Sequence, residues 1–314
     1  MPEFITINGR RFGRGESGEH VLNRYIMPSR TPIDVPVFVF RSKHTGPVVL
    51  LQAGMHGDET NGIETLRNLL RLDAVHNLYK GSLIVIPILN VVSFLNGSRD
   101  LPDERDLNRC FPGSRSGSLG SRIAHDLMKE VVPQITFGID FHTGGAKINN
   151  YPQIRCLFDH PENLELSKHF GAPFTVNAPF RDKSFRKEAA RKGKNILVFE
   201  AGESLRFNKL AIQEGLNGVL RLLNALGMCN QPVPASESIV LQRTSWLRAK
   251  RAGLFRTQKK YGAWVEKDEV IGTICDPFGE WESPLLSPIN GFIIGINNQP
   301  VINEGDALMH LGEE

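Results

Sequence analysis

The sequence predicts an α/β domain followed by a small all-β domain, and three observations carry that prediction. Apolar runs at Val48 to Leu51, Leu83 to Ile88 and Ile196 to Phe199 lack polar alternation, the pattern of strands buried on both faces. Stretches with helical spacing of apolar residues lie between and after them. Past Cys229-Asn230-Gln231-Pro232-Val233-Pro234-Ala235-Ser236, a linker by composition, only short β-type runs follow. With 314 residues the chain suits one large domain or two unequal ones. The expected division is 1–230 and 233–314.

Composition narrows the function classes. The chain is 40% hydrophobic and 23% charged, ordinary for a soluble globular protein. Its 37 basic and 34 acidic residues nearly balance at +3, which argues against a nucleic-acid or membrane partner. The basic cluster Arg181 to Lys194 is interrupted by Asp182 and Glu188 and reads as a solvated face. Cys110, Cys156, Cys229 and Cys275 are far apart, with no Cys-x-x-Cys pair, so neither a zinc knot nor a redox motif is indicated. The opening Met-Pro-Glu-Phe-Ile-Thr has no basic and apolar leader pattern, and no apolar run reaches about 18 residues. A reducing cytoplasm is the expected location.

Residues 1–34 are polar and glycine-rich, and are expected to form loop and short edge structure. Val35 to Phe40 reads as a strand with Pro36 favouring its start or an edge. His44 to Pro47 reads as a turn. The run Val48 to Ala53 then enters the turn Gln52-Ala53-Gly54-Met55-His56-Gly57-Asp58-Glu59-Thr60-Asn61-Gly62, and a helix follows from about Asn61 to Leu72. His56 and Glu59 thus sit at the end of a buried strand, where open α/β sheets bind ligands. An imidazole and a carboxylate three residues apart can grip one divalent cation, and zinc accepts both. A lone His-x-x-Glu also occurs by chance, so the pair needs a third ligand downstream.

After the strand Leu83 to Ile88 comes Asn90 to Pro112, a long segment with little apolar periodicity. Such segments are commonly functional. It carries Arg99, Arg105, Asn108 and Arg109. Arginine forks match carboxylates and a side-chain amide can bind the same group; the alternative is a solvated loop held by Asp–Arg pairs. Leu119 to Val132 reads as a helix and Ile135 to Phe141 as a strand ending in His142-Thr143-Gly144-Gly145. Asp140 shares the face of His142 and could orient it, whether His142 meets a metal or is only a hydrogen-bonded histidine. A strand at Ile154 to Phe158, a helix at Pro161 to Phe170 and a basic helix at Ser184 to Lys192 follow, the last carrying Arg186. Ile196 to Phe199 ends in Glu200-Ala201-Gly202-Glu203, where an acid could serve as a general base for a metal-bound water. Phe207 to Leu226 is an amphipathic helix with Val219, Leu222, Leu223 and Leu226 on one face.

The C-terminal stretch offers β-type runs at Ile239 to Leu241, Trp246-Leu247, Val270 to Ile274, Gly291 to Ile294 and Ala307 to Met309. It holds an internal echo: Val265-Glu266-Lys267-Asp268-Glu269-Val270-Ile271 parallels Ile302-Asn303-Glu304-Gly305-Asp306-Ala307-Leu308. Two such units resemble the sandwich of biotinyl and lipoyl carrier domains. Glu282 to Asn298, where a carrier would present its lysine, contains none. A structural or gating role is therefore expected.

Taken together, His56-Gly57-Asp58-Glu59, Asp106-Leu107-Asn108-Arg109, Asp140-Phe141-His142-Thr143-Gly144 and Glu200-Ala201-Gly202-Glu203 stand in the order found in the succinylglutamate desuccinylase/aspartoacylase family. The chain resembles that family, a branch of the zinc carboxypeptidase superfamily, over roughly residues 30–227. The resemblance implies a zinc-carboxypeptidase-like three-layer α/β/α domain with a mixed sheet, plus a small barrel-sandwich-like β domain. It implies one Zn2+ per chain held by His56, Glu59 and His142, with Glu200 as general base and then acid. Asn108 and Arg109 would hold the substrate carboxylate. Arg99 would polarise the scissile carbonyl, with Arg105 the competing choice and Arg186 a further contact. The expected activity is a zinc-dependent deacylase acting on a small N-acyl amino acid. A carboxypeptidase trimming peptide C-termini shares every one of these residues, and a metal-free binding protein is the third reading. The acyl group and the oligomeric state, homo-oligomer or not, are open at this level.

Overall fold

The buried apolar runs become the centre of one long sheet. The computed structural model describes residues 3–145 and 147–314, so the opening Met1 and Pro2 lie outside the described residues. Strands Ser82–Ile86, Val48–Gln52, Phe137–Gly144 and Asn195–Glu203 stand side by side in that order, all parallel. Every residue of the first three is buried, which is why the runs lack polar alternation. Antiparallel strands flank this centre: Pro32–Arg41 and then Ser17–Ile26 on one side, Ile148–Cys156 on the other. The sheet is mixed and the fold is α/β, as expected.

Alternate residues of the central strands feed two apolar clusters, one on each face. Val49 and Leu51 join Leu66 and Leu69 of helix Thr60–Leu70, Phe170 of Pro161–Phe170, and Val219, Leu222 and Leu223 of Lys209–Ala225. Val48 and Leu50 join Ile123 and Ala124 of Leu119–Asp126 and Phe185 and Ala189 of Phe185–Arg191 on the other side. Each fully buried Leu or Ile stabilises the fold by about 1.5–3 kcal/mol, so these helices are held by packing more than by propensity. Helix Lys209–Ala225 starts at Asn208, whose side chain accepts from the Ala211 N–H.

Several elements depart from expectation. Residues 1–34 are not mainly loop: Ile5–Ile7 pairs with Arg10–Phe12, and Ser17–Ile26 is a full strand at the sheet edge. Its exposed and part-buried residues hide the pattern that a buried strand would show. The Asn90 to Pro112 segment contains helix Val91–Asn96 and a 3-10 turn, Leu107–Arg109. The α-helix expected to run to Val132 ends at Asp126, continues as a wider π-type turn over Leu127–Val131, and closes in a 3-10 turn containing Pro133. Strand Phe174–Asn177 and helix Asp73–His76 were too short to register as periodic runs.

Among the described residues no helix follows Ala225. Gly253–Thr257, Val270–Cys275, Glu282–Leu286 and Val301–Ile302 form a separate four-stranded sheet. Val265, Ile271, Ile293, Leu308 and Leu311 give this region an apolar cluster of its own. The echo read in the sequence is a repeated turn. Glu266 N–H is bonded by Glu269 Oε2 at 3.0 Å and Asn303 N–H by Asp306 Oδ2 at 2.7 Å, and Asp268 and Gly305, the equivalent positions, both take positive φ. The main sheet nevertheless crosses the expected boundary. Gly291–Asn297 pairs antiparallel with Ile148–Cys156, and Ala307–Glu313 and Arg243–Arg248 continue it outward.

Candidate metal and substrate site

Three parallel strands deliver their C-terminal ends to one cavity. Val48–Gln52 leads into the His56 turn, Phe137–Gly144 carries His142, and Asn195–Glu203 carries Glu200 opposite His142 in register. The His56 turn needs its glycines. Gly54 has φ +62°, and a Cβ on Gly57 would overlap the backbone of Ser93 and Phe94, so the turn lies directly on helix Val91–Asn96.

His56, Glu59 and His142 are all buried, and one potential ligand atom from each falls within 4.8 Å of the others. His56 Nδ1 stands 2.8 Å from Glu59 Oε1, and His142 Nδ1 stands 2.9 Å from Glu59 Oε2. The outer nitrogens are taken: Nε2 of His56 is 3.0 Å from Asp106 Oδ1 and Nε2 of His142 is 2.9 Å from Asp140 Oδ2. Gln52 Nε2 donates to the other oxygen of Asp140 at 3.0 Å. An imidazole that donates its Nε2–H to a carboxylate offers a lone pair at Nδ1. Two lone pairs then face a carboxylate; Arg99 Nη1, 3.0 Å from Glu59 Oε1 and 3.3 Å from His56 Nδ1, brings one positive charge there, and protons or a divalent cation would add to it. The donor set, two nitrogens and a carboxylate, fits zinc.

Electrostatics follow from the same contacts. Burial pushes the Glu59 carboxyl up, but His56 and His142 outweigh it and hold it well below the usual carboxylate range. Burial pushes His142 down, yet Asp140 and Glu59 lift it well above an ordinary imidazole. Asp106 is held low by His56 and Arg99 against the opposing effect of burial. Asp106 also caps the 3-10 turn, accepting from Asn108 N–H at 2.7 Å. One carboxylate thus orients a candidate ligand and sets the turn that presents Asn108 and Arg109.

Arg99 lines the cavity and donates to Glu59 Oε1 at 3.0 Å and to Asp106 Oδ2 at 3.1 Å. Arg105 is 64% exposed at its side chain and pairs with Asp103; of the two candidates the structure brings Arg99 to the cavity. Asn108 Oδ1 accepts from Phe185 N–H at 2.9 Å, which leaves Nδ2 for a ligand. Arg109 lines the cavity and donates to the Asn108 carbonyl at 2.6 Å. Arg186 also reaches the cavity. Its Nη2 donates to the carbonyls of Ala178 and Pro179, while Nη1 is buried with no hydrogen-bond partner among the described residues. Burial lowers its guanidinium to about 10. Glu200 is held at both oxygens: Arg155 Nη1 is 3.3 Å from Oε1, and Asn150 Nδ2 donates to Oε2 at 2.8 Å.

The description of the succinylglutamate desuccinylase/aspartoacylase catalytic domain matches residues 45–226. The chain belongs to the succinylglutamate desuccinylase/aspartoacylase family. The N-alpha-acetyl-L-2,4-diaminobutyric acid deacetylase of Halomonas elongata is 28% identical over 299 residues, covering 89% of this chain and 85% of that protein. Two solved structures share the fold at a TM-score of 0.83 with 95% of each chain covered. One is the product-bound ectoine utilization protein EutE (DoeB) from Ruegeria pomeroyi, at 23% identity. The other is a succinylglutamate desuccinylase/aspartoacylase from Rhodobacter sphaeroides, at 25% identity.

In this family member the cavity, about 560 Å³, has a second wall that sequence reasoning missed. Thr244, Trp246 and His310 line it from the C-terminal strands. The rings of Trp246 and His310 are stacked, 4.4 Å apart and 3° from parallel. His310 is pushed down to about 3, by burial first and by Arg155 second, so its imidazole is neutral. Asn150 and Arg155 were also missed. They have opposite parity on one strand, and face the same cavity because the pairing with Asn195–Glu203 shifts register between Glu200 and Gly202. Asp106 could have been found, since it lies two residues before Asn108 in the position of a cap.

Proposed function

We propose that this chain is a zinc-dependent deacylase that hydrolyses the amide bond of a small N-acyl amino acid or related N-acyl amine. One observation carries the reading: a buried His-Glu-His cluster, an acid on the adjacent strand, and Arg99 and Arg109 meet in one cavity. The relative from Halomonas elongata, a deacetylase by name, supports it. His56, Glu59 and His142 would hold one zinc per chain, with Asp106 and Asp140 fixing the imidazoles. When bound, zinc acts as a Lewis acid that lowers the pKa of water and polarises a carbonyl oxygen.

The remaining work falls to the chain's own side chains. Glu200 takes a proton from the attacking water and returns it to the leaving amine. Arg99 faces the charge that develops on the carbonyl oxygen and stabilises the transition state more than the ground state. Asn108 Nδ2 and Arg109 hold the substrate carboxylate, so the amide sits in an attack-ready position. Residues 233–314 are read as a barrel-sandwich-like domain that closes the cavity. A wall formed by Thr244, Trp246 and His310 supports a small substrate over an extended peptide. The four free cysteines suit a reducing compartment such as the cytoplasm.

The experiment is metal content by elemental analysis for the wild type and His56→Ala, beside amine release from a panel of N-acyl amino acids. About one zinc per chain, lost in the mutant together with amine release, is the expected result. Glu200→Gln should keep its zinc and lose about 10²–10⁴ in turnover. A wild-type rate in Glu200→Gln removes that residue from the mechanism, and an active protein without metal removes zinc.

A further inference from the structure

Glu200 is harnessed from outside its own strand. Both of its side-chain partners lie on Ile148–Cys156, the strand hydrogen-bonded to Asn195–Glu203 on one edge and to Gly291–Asn297 on the other. Two lines run from neighbouring residues of the C-terminal strand to the two carboxylate oxygens. In the first, the Ile294 carbonyl accepts from Gln153 Nε2 at 3.0 Å. Gln153 Oε1 in turn accepts from Arg155 Nε at 3.2 Å, and Arg155 Nη1 stands 3.3 Å from Glu200 Oε1. In the second, Gly295 pairs with Asn150, and Asn150 Nδ2 donates to Glu200 Oε2. A Cβ at Gly295 would lie 2.8 Å from Asn150 Oδ1, so the side chain of Asn150 rests on a bare backbone. Asn150 and Gln153 are buried at 3% and 0% exposure. His310, on the strand next to Gly291–Asn297, lines the cavity with Arg155.

We infer that Asn150 and Arg155 are positioning residues for the general base, and that the C-terminal strand Gly291–Asn297 braces them through Ile294 and Gly295. The inference rests on the reading of Glu200 as the base. Its physical content is directional. A carboxylate with a hydrogen bond at one oxygen and a guanidinium beside the other is restrained about its last bond, so the lone pair that takes the proton keeps a preferred aim. Release of either oxygen costs orientation, not substrate affinity, and a misplacement of about 1 Å costs about 10²-fold in rate. The C-terminal strands then contribute to turnover as well as to enclosure.

The test uses the full-length zinc-loaded enzyme, with N-acetyl-L-2,4-diaminobutyrate and N-succinyl-L-glutamate as probes and, if neither turns over, the best substrate of the N-acyl amino acid panel. Asn150→Ala and Arg155→Met should each lower kcat about 10- to 100-fold, with KM within about threefold and zinc content unchanged. Arg155→Lys should recover part of the loss, because a cation near Oε1 is restored. Gly295→Ala, which touches no substrate, should lower kcat about tenfold by pressing on Asn150; thermal melts show whether each variant is folded. Glu200→Gln is the control that separates the two claims. If it stays active, the base assignment fails. If it is inactive while Asn150→Ala and Arg155→Met keep wild-type kcat, the positioning claim is overturned and the base assignment stands. A rise in KM with constant kcat also overturns it, by making these residues substrate contacts. Should Gly295→Ala not fold, the kcat of Asn150→Ala and Arg155→Met decides.

Discussion

His142 and His310 line the same cavity and are equally buried, each 6% exposed. They are driven in opposite directions. His142 lies between Asp140 and Glu59, which hold its proton far above the ordinary range. His310 lies flat on Trp246 with Arg155 nearby, and its proton is lost down to about 3. Burial disfavours the imidazolium at both positions, so the difference comes from the neighbours. One wall of the cavity, at the ends of the parallel strands, concentrates opposite charges. The other, from the C-terminal strands, is built to stay neutral. A buried histidine has no role until its partners are named.

The comparison can be broken at several points. The largest effect is expected from His142→Ala, which should abolish zinc retention and amine release, while His310→Phe should keep its zinc; elemental analysis of the two purified variants decides this. The next effect is on stability. Folded His310 is neutral above about pH 3, whereas in the unfolded chain it binds a proton below its ordinary 6.5. The unfolded state therefore binds more protons in this window and stability rises with pH. The contribution is complete above pH 6.5 and is lost as pH falls toward 3. Denaturant titrations of the zinc-free protein between pH 7 and 4 should show wild type losing roughly 3 kcal/mol more than His310→Phe. Parallel curves would mean that His310 is charged in the folded state.

Smaller effects sharpen the contrast. Asp140→Asn leaves His142 in place but weakens its fixed orientation, and zinc affinity should fall about 10- to 100-fold in a chelator competition. Trp246→Leu keeps an apolar wall and removes the stacked pair. It should cost about 1 kcal/mol in thermal denaturation and leave zinc untouched.

Much of the first wall was legible in the sequence and little of the second. His56, Glu59, His142 and Glu200 each follow an apolar run, and buried parallel strands must end at the same side of a sheet, so their convergence could be read. Helix Pro161–Phe170 was legible because Pro161 opens it and Gly171, in the left-handed region, closes it. The choice of Arg99 over Arg105 was not, since it depends on the path of an irregular loop. Asn150 and Arg155 were hidden by a register shift that breaks the two-residue period. Thr244, Trp246 and His310 reach the site only because the main sheet runs on into the C-terminal strands, and no local pattern encodes that.

The continuity of that sheet makes Ile148–Cys156 an interior strand, paired along both of its sides. A chain cut at the linker would bare the outer side of Ile148 to Asn150, and the outer side of Phe174–Asn177, which covers Gln153 to Cys156 but itself pairs with Ile239–Leu241. Bare rows of this kind recruit strands from other molecules. A fragment ending near residue 230 should therefore self-associate when expressed alone, so the C-terminal strands act as a guard against aggregation for the larger part of the chain.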